Sequence, residues 1–289
     1  MPRGPDDRPP DPLTAFPAGF RPSFIRASEQ APAGGAPAAG PSCLALHGLG
    51  GGPFELAPLT DALRAAGLEV ATPTLPGHDG DGPRMPGSTW LEWEHAVEAA
   101  YDAQAARAGG GPVTVIGFST GATLALRLAT RRPVARLLLL APFLAIRFAG
   151  LVPLPAHVWL GPIARVAPDI PRRRAATVDR SARRALAGSS PFRTFSLPST
   201  LSALALIREV RPAVGTITAP TLILQGRRDS VVAPAGAAWL LDHLGSPARR
   251  LIWLPRSDHL LPWDRDRDAV IAAGLMFCRD GRMTDGDGP

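Results

Sequence analysis

The sequence predicts an α/β protein whose core is a mostly parallel sheet with helices on both faces. From Ser42 onward, short apolar runs alternate with amphipathic helical stretches, which is the pattern of parallel strands joined by helical crossovers. This alternation stops between about residues 143 and 210 and resumes near Thr221. A Gly-x-Ser-x-Gly motif stands between one apolar run and the helical stretch that follows it. Such a position is typical of a functional turn at the edge of the sheet.

The predicted elements are short, and strand and helix follow each other along the chain. Each predicted strand is apolar at nearly every position, as expected for a strand that is buried on both faces. The predicted strands comprise residues 43–46, 68–71, 113–116, 136–140, 221–224 and 250–254. The predicted helices comprise residues 54–66, 89–107, 120–130, 233–244 and 264–278.

These elements predict a core made from two separate segments, residues 41–142 and 211–280. Proline-punctuated apolar and basic helices at residues 143–210 predict a cap, or lid, inserted at the edge of the sheet. Residues 1–40 are rich in Pro, Ala and Gly and lack periodicity, so we predict a tail or a loosely attached arm. Residues 281–289 are predicted to form a C-terminal tail.

The composition excludes several classes of protein. The chain has 289 residues, of which 45% are hydrophobic and 19% charged, as expected for a globular protein with a sizeable core. No apolar stretch approaches the roughly 20 residues that a membrane-spanning helix needs. The N-terminus lacks the apolar region of a secretory signal, so we expect a cytoplasmic protein. Cys43 and Cys278 are too few for a disulfide framework and are expected to be buried thiols.

The net charge of +6 does not indicate a nucleic-acid partner. All basic residues are arginine, and the densest runs, at residues 172–174 and 180–184, have no interleaved aromatic side chains for stacking on bases. We therefore expect a solvated basic face. An anionic membrane surface is a second possible partner, but Pro153, Pro155 and Pro162 interrupt the neighbouring apolar segment, which argues against membrane contact.

The first motif that indicates chemistry is GFSTG at residues 117–121. A strand-to-helix turn this tight leaves no room for a Cβ atom at either flanking glycine. It holds the central serine in a strained conformation with its hydroxyl above the sheet. The start of the next helix offers backbone N–H groups and a positive dipole end to a developing oxyanion. The motif therefore predicts that Ser119 is a nucleophile.

The second motif, HGLGGG at residues 47–52, follows the first predicted strand. In this architecture the loop after that strand supplies one oxyanion N–H, and glycine lets the backbone approach the substrate. We predict that the backbone N–H groups of Leu49 and Thr120 form the oxyanion hole. His47 is expected to fix the loop rather than to act as a base. A phosphate-binding P-loop is excluded because the chain contains no lysine.

A nucleophilic serine needs a base, and the base needs a carboxylate that orients it. Asp229 follows the predicted strand at residues 221–224, and His259 follows the strand that ends at Leu254. Because the carboxyl ends of parallel strands meet at one edge of a sheet, both are expected to lie near Ser119. Other residues stay open as alternatives, although none of the histidines among them follows a late strand. They are the carboxylates of Asp242 and Asp258 and the imidazoles of His78, His95, His157 and His243.

Together these motifs resemble those of α/β-hydrolases of the bacterial carboxylesterase and monoacylglycerol-lipase type. The resemblance extends over about residues 43–273 and includes HGLGG, GLEVATPTLPGHDGD, TWLEWEHAVEAAYD, VTVIGFSTGATLALRLA, ITAPTLILQGRRDSVV and LPRSDHLLPWDRDRDAV. It implies an α/β-hydrolase fold with a helical cap inserted after the sixth strand. It also implies that Ser119 is the nucleophile, His259 the base and Asp229 its partner.

We therefore expect a carboxylic ester hydrolase that forms an acyl-enzyme with short or medium acyl esters or monoacylglycerols. Thr120 and Ala122 stand where this group commonly has Met and Gly, and GFSTG is also similar to the motif of perhydrolases. Thioester hydrolysis, acyl transfer and perhydrolysis are thus alternatives, as is a non-catalytic binding protein.

Three further expectations concern the ligands of the site. No metal or other cofactor is predicted, because the chain has no HExxH motif and no Cys/His cluster. Phe143 and Trp159, in the apolar part of the cap, are predicted to roof an acyl pocket. The oligomeric state is left open.

Overall fold

The computed structural model of the protein describes residues 41–147, 156–172 and 175–283, and the predicted N-terminal tail at 1–40 lies outside this range. Six strands form one sheet in which all neighbours are parallel, and two short strands form a separate antiparallel pair. In chain order the strands are β1 (Ser42–Leu46), β2 (Glu69–Ala71), β3 (Thr114–Phe118), β4 (Arg136–Leu140), β5 (Asp169–Pro171), β6 (Thr194–Ser196), β7 (Thr221–Gly226) and β8 (Arg249–Leu254). The large sheet has the order β2-β1-β3-β4-β7-β8.

The described residues form eight helices, of which five pack against this sheet. In chain order they are α1 (Ala57–Ala65), α2 (Trp90–Arg107), α3 (Thr120–Ala129), α4 (Ala156–Val166), α5 (Arg180–Ala185), α6 (Leu197–Val210), α7 (Ala235–His243) and α8 (Arg267–Asp280). Helix α1 packs on α8, whereas α2, α3 and α6 pack on one another. The predicted α/β core with its parallel sheet is confirmed, and element boundaries agree within a few residues. Among the described residues, no helix is long and apolar enough to cross a bilayer.

The strands form because their side chains are buried on both faces. Every residue of β1, β3 and β7 is buried, which leaves no polar face and explains the continuous apolar runs in the sequence. Helix α2 begins with a capping box in which Thr89 and Glu92 satisfy each other's backbone N–H groups. Cys43 in β1 and Cys278 in α8 are buried free thiols, as predicted.

The cap follows β4, the strand that was predicted to precede it. Within the described chain this strand is the fourth of the sheet rather than the sixth. The cap contains α4, α5 and the β5–β6 pair, which the sequence did not predict because strands of three residues have no recognisable periodicity. Helix α6 lies within the predicted cap range at residues 143–210, yet it packs against α2, α3 and α4. It therefore connects the cap to the core. Pro153 and Pro155 lie outside the described residues, and Pro162 lies inside α4.

Candidate active site

Ser119 occupies a strained turn between β3 and α3. Its φ of 54° and ψ of −118° lie in a backbone region that residues other than glycine rarely adopt. A Cβ atom at Gly117 would overlap the backbone of Ala122, and one at Gly121 would overlap the carbonyl of Leu46. The predicted need for glycine at both flanks is therefore confirmed.

The structure brings Ser119, His259 and Asp229 together at the carboxyl edge of the sheet. His259 Nε2 lies 3.0 Å from Ser119 Oγ, and His259 Nδ1 lies 2.9 Å from Asp229 Oδ2. All three residues are buried. With Nδ1–H donating to the carboxylate, Nε2 is left to accept the proton of the serine hydroxyl.

The carboxylate of Asp229 is held by four hydrogen bonds. Oδ2 accepts from the Gln225 side chain at 2.9 Å as well as from His259, and Oδ1 accepts from the backbone N–H groups of Val231 and Val232. Burial favours the neutral acid, but the charge of His259 and these hydrogen bonds outweigh it and lower the pKa of Asp229. Asp229 is thus a fixed anion beside the imidazole.

The surroundings of His259 favour its protonated form. Burial alone would lower its pKa, but the charge of Asp229 and their hydrogen bond outweigh burial and raise the pKa above its ordinary value of 6.5. Glu55 and Asp258 raise it further through their charges. The imidazole is therefore a stronger base than a histidine in water.

The loops that carry Asp229 and His259 are joined by Asp258. Its Oδ1 accepts hydrogen bonds from the backbone N–H groups of Ser230 and His259, at 2.7 and 2.8 Å. Gly226 permits this approach, because a Cβ atom there would overlap the carbonyls of residues 257 and 258. Asp258 therefore orients the two loops and does not contact the imidazole nitrogens.

Two neutral histidines fix the glycine loop at residues 47–52. His47 donates from Nδ1 to the carbonyl of Gly48 at 2.9 Å, and its Nε2 accepts from the N–H of Leu75 at 3.0 Å. His78 Nε2 accepts from the N–H of Gly50 at 2.9 Å. Burial lowers the pKa of His47 to about 3 and also lowers that of His78, so both stay uncharged. The predicted role of His47 in fixing the loop is confirmed.

The other alternative residues lie away from Ser119. His95 is exposed on α2, Asp242 and His243 lie at the end of α7, and His157 belongs to α4. His95, Asp242 and His243 are not among the residues that line the cavity above Ser119, and the side chain of His157 lies outside the described part of the chain.

The backbone N–H groups of Leu49 and Thr120 were predicted to form the oxyanion hole. Both residues line the cavity beside Ser119. Thr120 is the first residue of α3, where a helix leaves its N–H groups without an internal acceptor. Neither N–H donates to an acceptor in the described parts of the chain, while the neighbouring Gly48 and Gly50 N–H groups are both bonded.

A cavity of about 990 Å³ lies above Ser119, between the core and the cap. Phe118 and Phe143 contribute apolar surface beside the serine, and Phe192 and Phe195 contribute it from the cap. Phe143 thus reaches the cavity, as predicted. Trp159 does not line it, because this face of α4 packs with Leu160, Ala164 and Leu197.

Comparison with known proteins gives the family. The sequence model of the family described as serine aminopeptidase, S33, matches residues 38–266. The chain belongs to this α/β-hydrolase family. A thermostable monoacylglycerol lipase from Bacillus sp. is 27% identical over 237 residues, covering 81% of this chain and 88% of the relative. A pimeloyl-acyl-carrier-protein methyl ester esterase from Aromatoleum aromaticum is 31% identical over 228 residues, covering 71% and 86%.

Solved structures agree on the fold of this S33 hydrolase. The monoacylglycerol lipase of Paleococcus ferrophilus superposes with a TM-score of 0.71 at 18% identity, covering 84% of this chain and 97% of that one. A soluble variant of the monoglyceride lipase of Saccharomyces cerevisiae gives a TM-score of 0.69 at 17% identity, covering 86% and 89%. The predicted α/β-hydrolase fold and the resemblance to monoacylglycerol lipases and esterases are confirmed.

Glu55 is a residue of this S33 hydrolase that the sequence did not single out. It precedes α1, lines the cavity, and accepts a hydrogen bond from the N–H of Gly48 at 2.9 Å. Burial raises its pKa to about 7, although Gly48 and Arg172 act in the opposite direction. The sequence PFEL is typical of an ordinary helix start, so nothing local marks this glutamate.

Proposed function

We propose that this S33 hydrolase cleaves carboxylic esters, with Ser119 as nucleophile, His259 as general base and Asp229 as the partner of His259. The observation that carries the proposal is the pair of hydrogen bonds that joins these side chains, at 3.0 and 2.9 Å, beneath an apolar cavity. This is the arrangement that acyl transfer through a serine requires.

The reaction begins when His259 Nε2 takes the proton of Ser119 Oγ while the oxygen attacks the ester carbonyl. The N–H groups of Leu49 and Thr120 stabilise the oxyanion of the tetrahedral intermediate. Loss of one such donor typically lowers the rate by about 10²–10³. The imidazolium, stabilised by Asp229, then gives its proton to the departing alcohol.

The same groups then hydrolyse the acyl-enzyme, with water in the place of the alcohol. His259 takes a proton from a water molecule, and the resulting hydroxide attacks the acyl carbonyl. When the intermediate collapses, the proton returns to Ser119 and the carboxylic acid leaves. His259 passes the proton of Ser119 to the departing alcohol and a proton of water back to Ser119, so the protons balance over one cycle.

Two further observations support an ester rather than a peptide substrate. The curated relatives at 27% and 31% identity are named as a lipase and a methyl ester esterase. In addition, recognition of the α-ammonium group of a peptide requires negative charge in the cavity. Among the described lining residues, Glu55 is the only carboxylate, and five arginines surround the same space. A cationic amine is repelled by such a lining.

The test is hydrolysis of p-nitrophenyl esters over a series of acyl lengths by the wild type, Ser119→Ala and His259→Ala. We expect one optimal acyl length and a loss of kcat of about 10⁴-fold or more in both variants, because the serine and histidine act as one unit. Ser189→Ala and His95→Ala serve as matched controls, since both residues are exposed and neither lines the cavity. Full activity in Ser119→Ala would contradict the proposal, and inactivity of the folded wild type towards every ester would direct the search to thioesters.

A further inference from the structure

Five arginines of the cap line the cavity above Ser119. Arg172 follows β5, and Arg193 precedes β6. The remaining three, Arg180, Arg183 and Arg184, belong to α5. Arg172 and Arg183 are partly buried, while the other three are exposed at the opening.

The spacing in α5 explains why three guanidinium groups face the same space. Positions 180, 183 and 184 are related by three and four residues, so they share one face of the helix. The neighbouring carboxylate of Asp179 is directed elsewhere, because its Oδ1 caps the N-terminus of α5 by accepting from the N–H groups of Ser181 and Ala182. Asp179 does not line the cavity.

None of these five arginines forms an ion pair with a carboxylate in the described residues. Elsewhere in the molecule arginines are paired closely, as Arg127 is with Glu94 at 2.6 Å and Arg256 with Asp266 at 2.7 Å. The cavity therefore concentrates positive charge that no ion pair within the described residues neutralises.

Unused hydrogen-bond donors accompany this charge. Arg183 donates from Nη2 to the carbonyl of Thr177, but its buried Nε–H has no partner among the residues that the structure describes. Arg172 donates from Nη1 to the carbonyl of Gly50 and to Ser190 Oγ. Its Nε and Nη2 donate to no acceptor among the described residues. A guanidinium group matches the geometry of carboxylate and phosphate oxygens through two parallel N–H donors.

Glu55 offsets this charge only in part, through its electrostatic interaction with Arg172. It is a single carboxylate among five arginines, and it lies against the glycine loop, where it already accepts from the N–H of Gly48. Phe118 and Phe143 line the same cavity, and the backbone N–H of Phe143 donates to the carbonyl of Ser119. The cavity thus combines an apolar zone beside Ser119 with a cationic wall on the cap.

We propose that the cap arginines bind an anionic group of the substrate, so that the preferred substrates are esters in which an apolar chain carries a carboxylate or a phosphate. This inference rests on the proposed ester hydrolysis and names its substrate class. The apolar chain occupies the zone beside Phe118 and Phe143, the ester carbonyl lies at Ser119, and the anion contacts the face of α5.

The experiment compares pairs of esters in which one member carries an anionic group that the other lacks. The carboxylate arm pairs the p-nitrophenyl monoester of adipic acid with p-nitrophenyl hexanoate, and the phosphate arm pairs 1-octanoyl-glycerol-3-phosphate with 1-octanoyl-glycerol. We expect kcat/KM of the wild type to be about 10-fold to 100-fold higher for the anionic member of at least one pair. The arm with the larger ratio identifies the anion. The preference should weaken as salt rises to about 0.5 M, where charges in an open cavity are screened.

A matched pair of double variants assigns the effect to the cap. In Arg180→Gln/Arg184→Gln, we expect the ratio of kcat/KM for the anionic ester to that for the neutral ester to fall about 10-fold. Arg165→Gln/Arg208→Gln changes the net charge equally at exposed positions that do not line the cavity, and it should keep the wild-type ratio. Equal ratios in the two double variants would overturn the inference.

The outcomes separate this inference from the proposed function. If neutral esters are hydrolysed in a Ser119-dependent way without preference for either anion, the inference fails and the ester hydrolase stands. If the wild type hydrolyses no ester, the proposed function fails, and calorimetry with adipate and hexyl phosphate measures anion binding directly. Binding that is lost in Arg180→Gln/Arg184→Gln supports the cationic wall, and absence of binding overturns it.

Discussion

The carboxylate of Glu55 accepts a hydrogen bond from the backbone N–H of Gly48, 2.9 Å away, in the loop that also holds the N–H of Leu49. This contact connects a titrating side chain to the glycine loop, and the same side chain acts on His259. Through its hydrogen bond, Glu55 supports the glycine loop, and through its charge it raises the pKa of His259.

Glu55→Gln should separate these two effects, because glutamine keeps an oxygen acceptor for Gly48 but has no charge. His259 must be neutral to act as a base, so kcat/KM rises with pH through the pKa of His259. Removal of the negative charge lowers this pKa, and we expect the acid limb of the kcat/KM profile to move to lower pH by roughly half a unit. Glu69→Gln, at an exposed position on β2, is the control. An unchanged acid limb in Glu55→Gln would contradict this coupling.

Asp258→Ala should weaken the site without unfolding the protein, because Asp258 joins the Asp229 and His259 loops through Ser230. We expect kcat to fall about 10-fold while KM changes little, since a small displacement of the base affects the chemical step. Asp258→Asn keeps an oxygen acceptor and should restore most of kcat. An equal loss of kcat in Asp258→Ala and Asp258→Asn would argue against a positioning role for Asp258.

Gly121→Ala should destabilise the whole fold, because its Cβ atom would overlap the carbonyl groups of Leu46 and His47. We expect the free energy of unfolding to fall by about 3 kcal/mol, as for other overpacked sites with rigid neighbours. Gly82→Ala provides the comparison, since nothing lies within 4 Å of the position of its Cβ atom. Urea denaturation measures the stability of both variants. Equal denaturation midpoints would show that the backbone around residue 121 can move to accommodate a Cβ atom.

Phe143→Leu should change acyl-length selectivity, whereas Trp159→Phe should not. Phe143 lines the cavity beside Ser119, so a smaller side chain leaves room for a longer acyl group. We expect the ratio of kcat/KM for long to short acyl esters to rise about 10-fold, which corresponds to one or two methylene groups in an apolar pocket. A larger effect of Trp159→Phe would show that α4 contributes to the pocket.

The sequence alone determined the features that depend on residues close together along the chain. The apolar runs predicted the strands, because a strand buried on both faces needs apolar side chains at every position. The GFSTG turn predicted both the position of Ser119 and the need for flanking glycines, because the required backbone is local. Asp229 and His259 could be predicted at the same edge because each follows a strand of a parallel sheet, and parallel strands end together.

Only the tertiary structure decided which residues share the cavity. Glu55 and Gly48 meet because the chain folds back after the glycine loop, and Phe143 rather than Trp159 reaches Ser119 because α4 turns its tryptophan towards α6. The arginines of α5 looked like a solvated basic run, and only the docking of the cap turns their shared face towards the serine. Periodicity describes how side chains are arranged around one element, whereas the partner of each face is set by packing between elements that are distant in sequence.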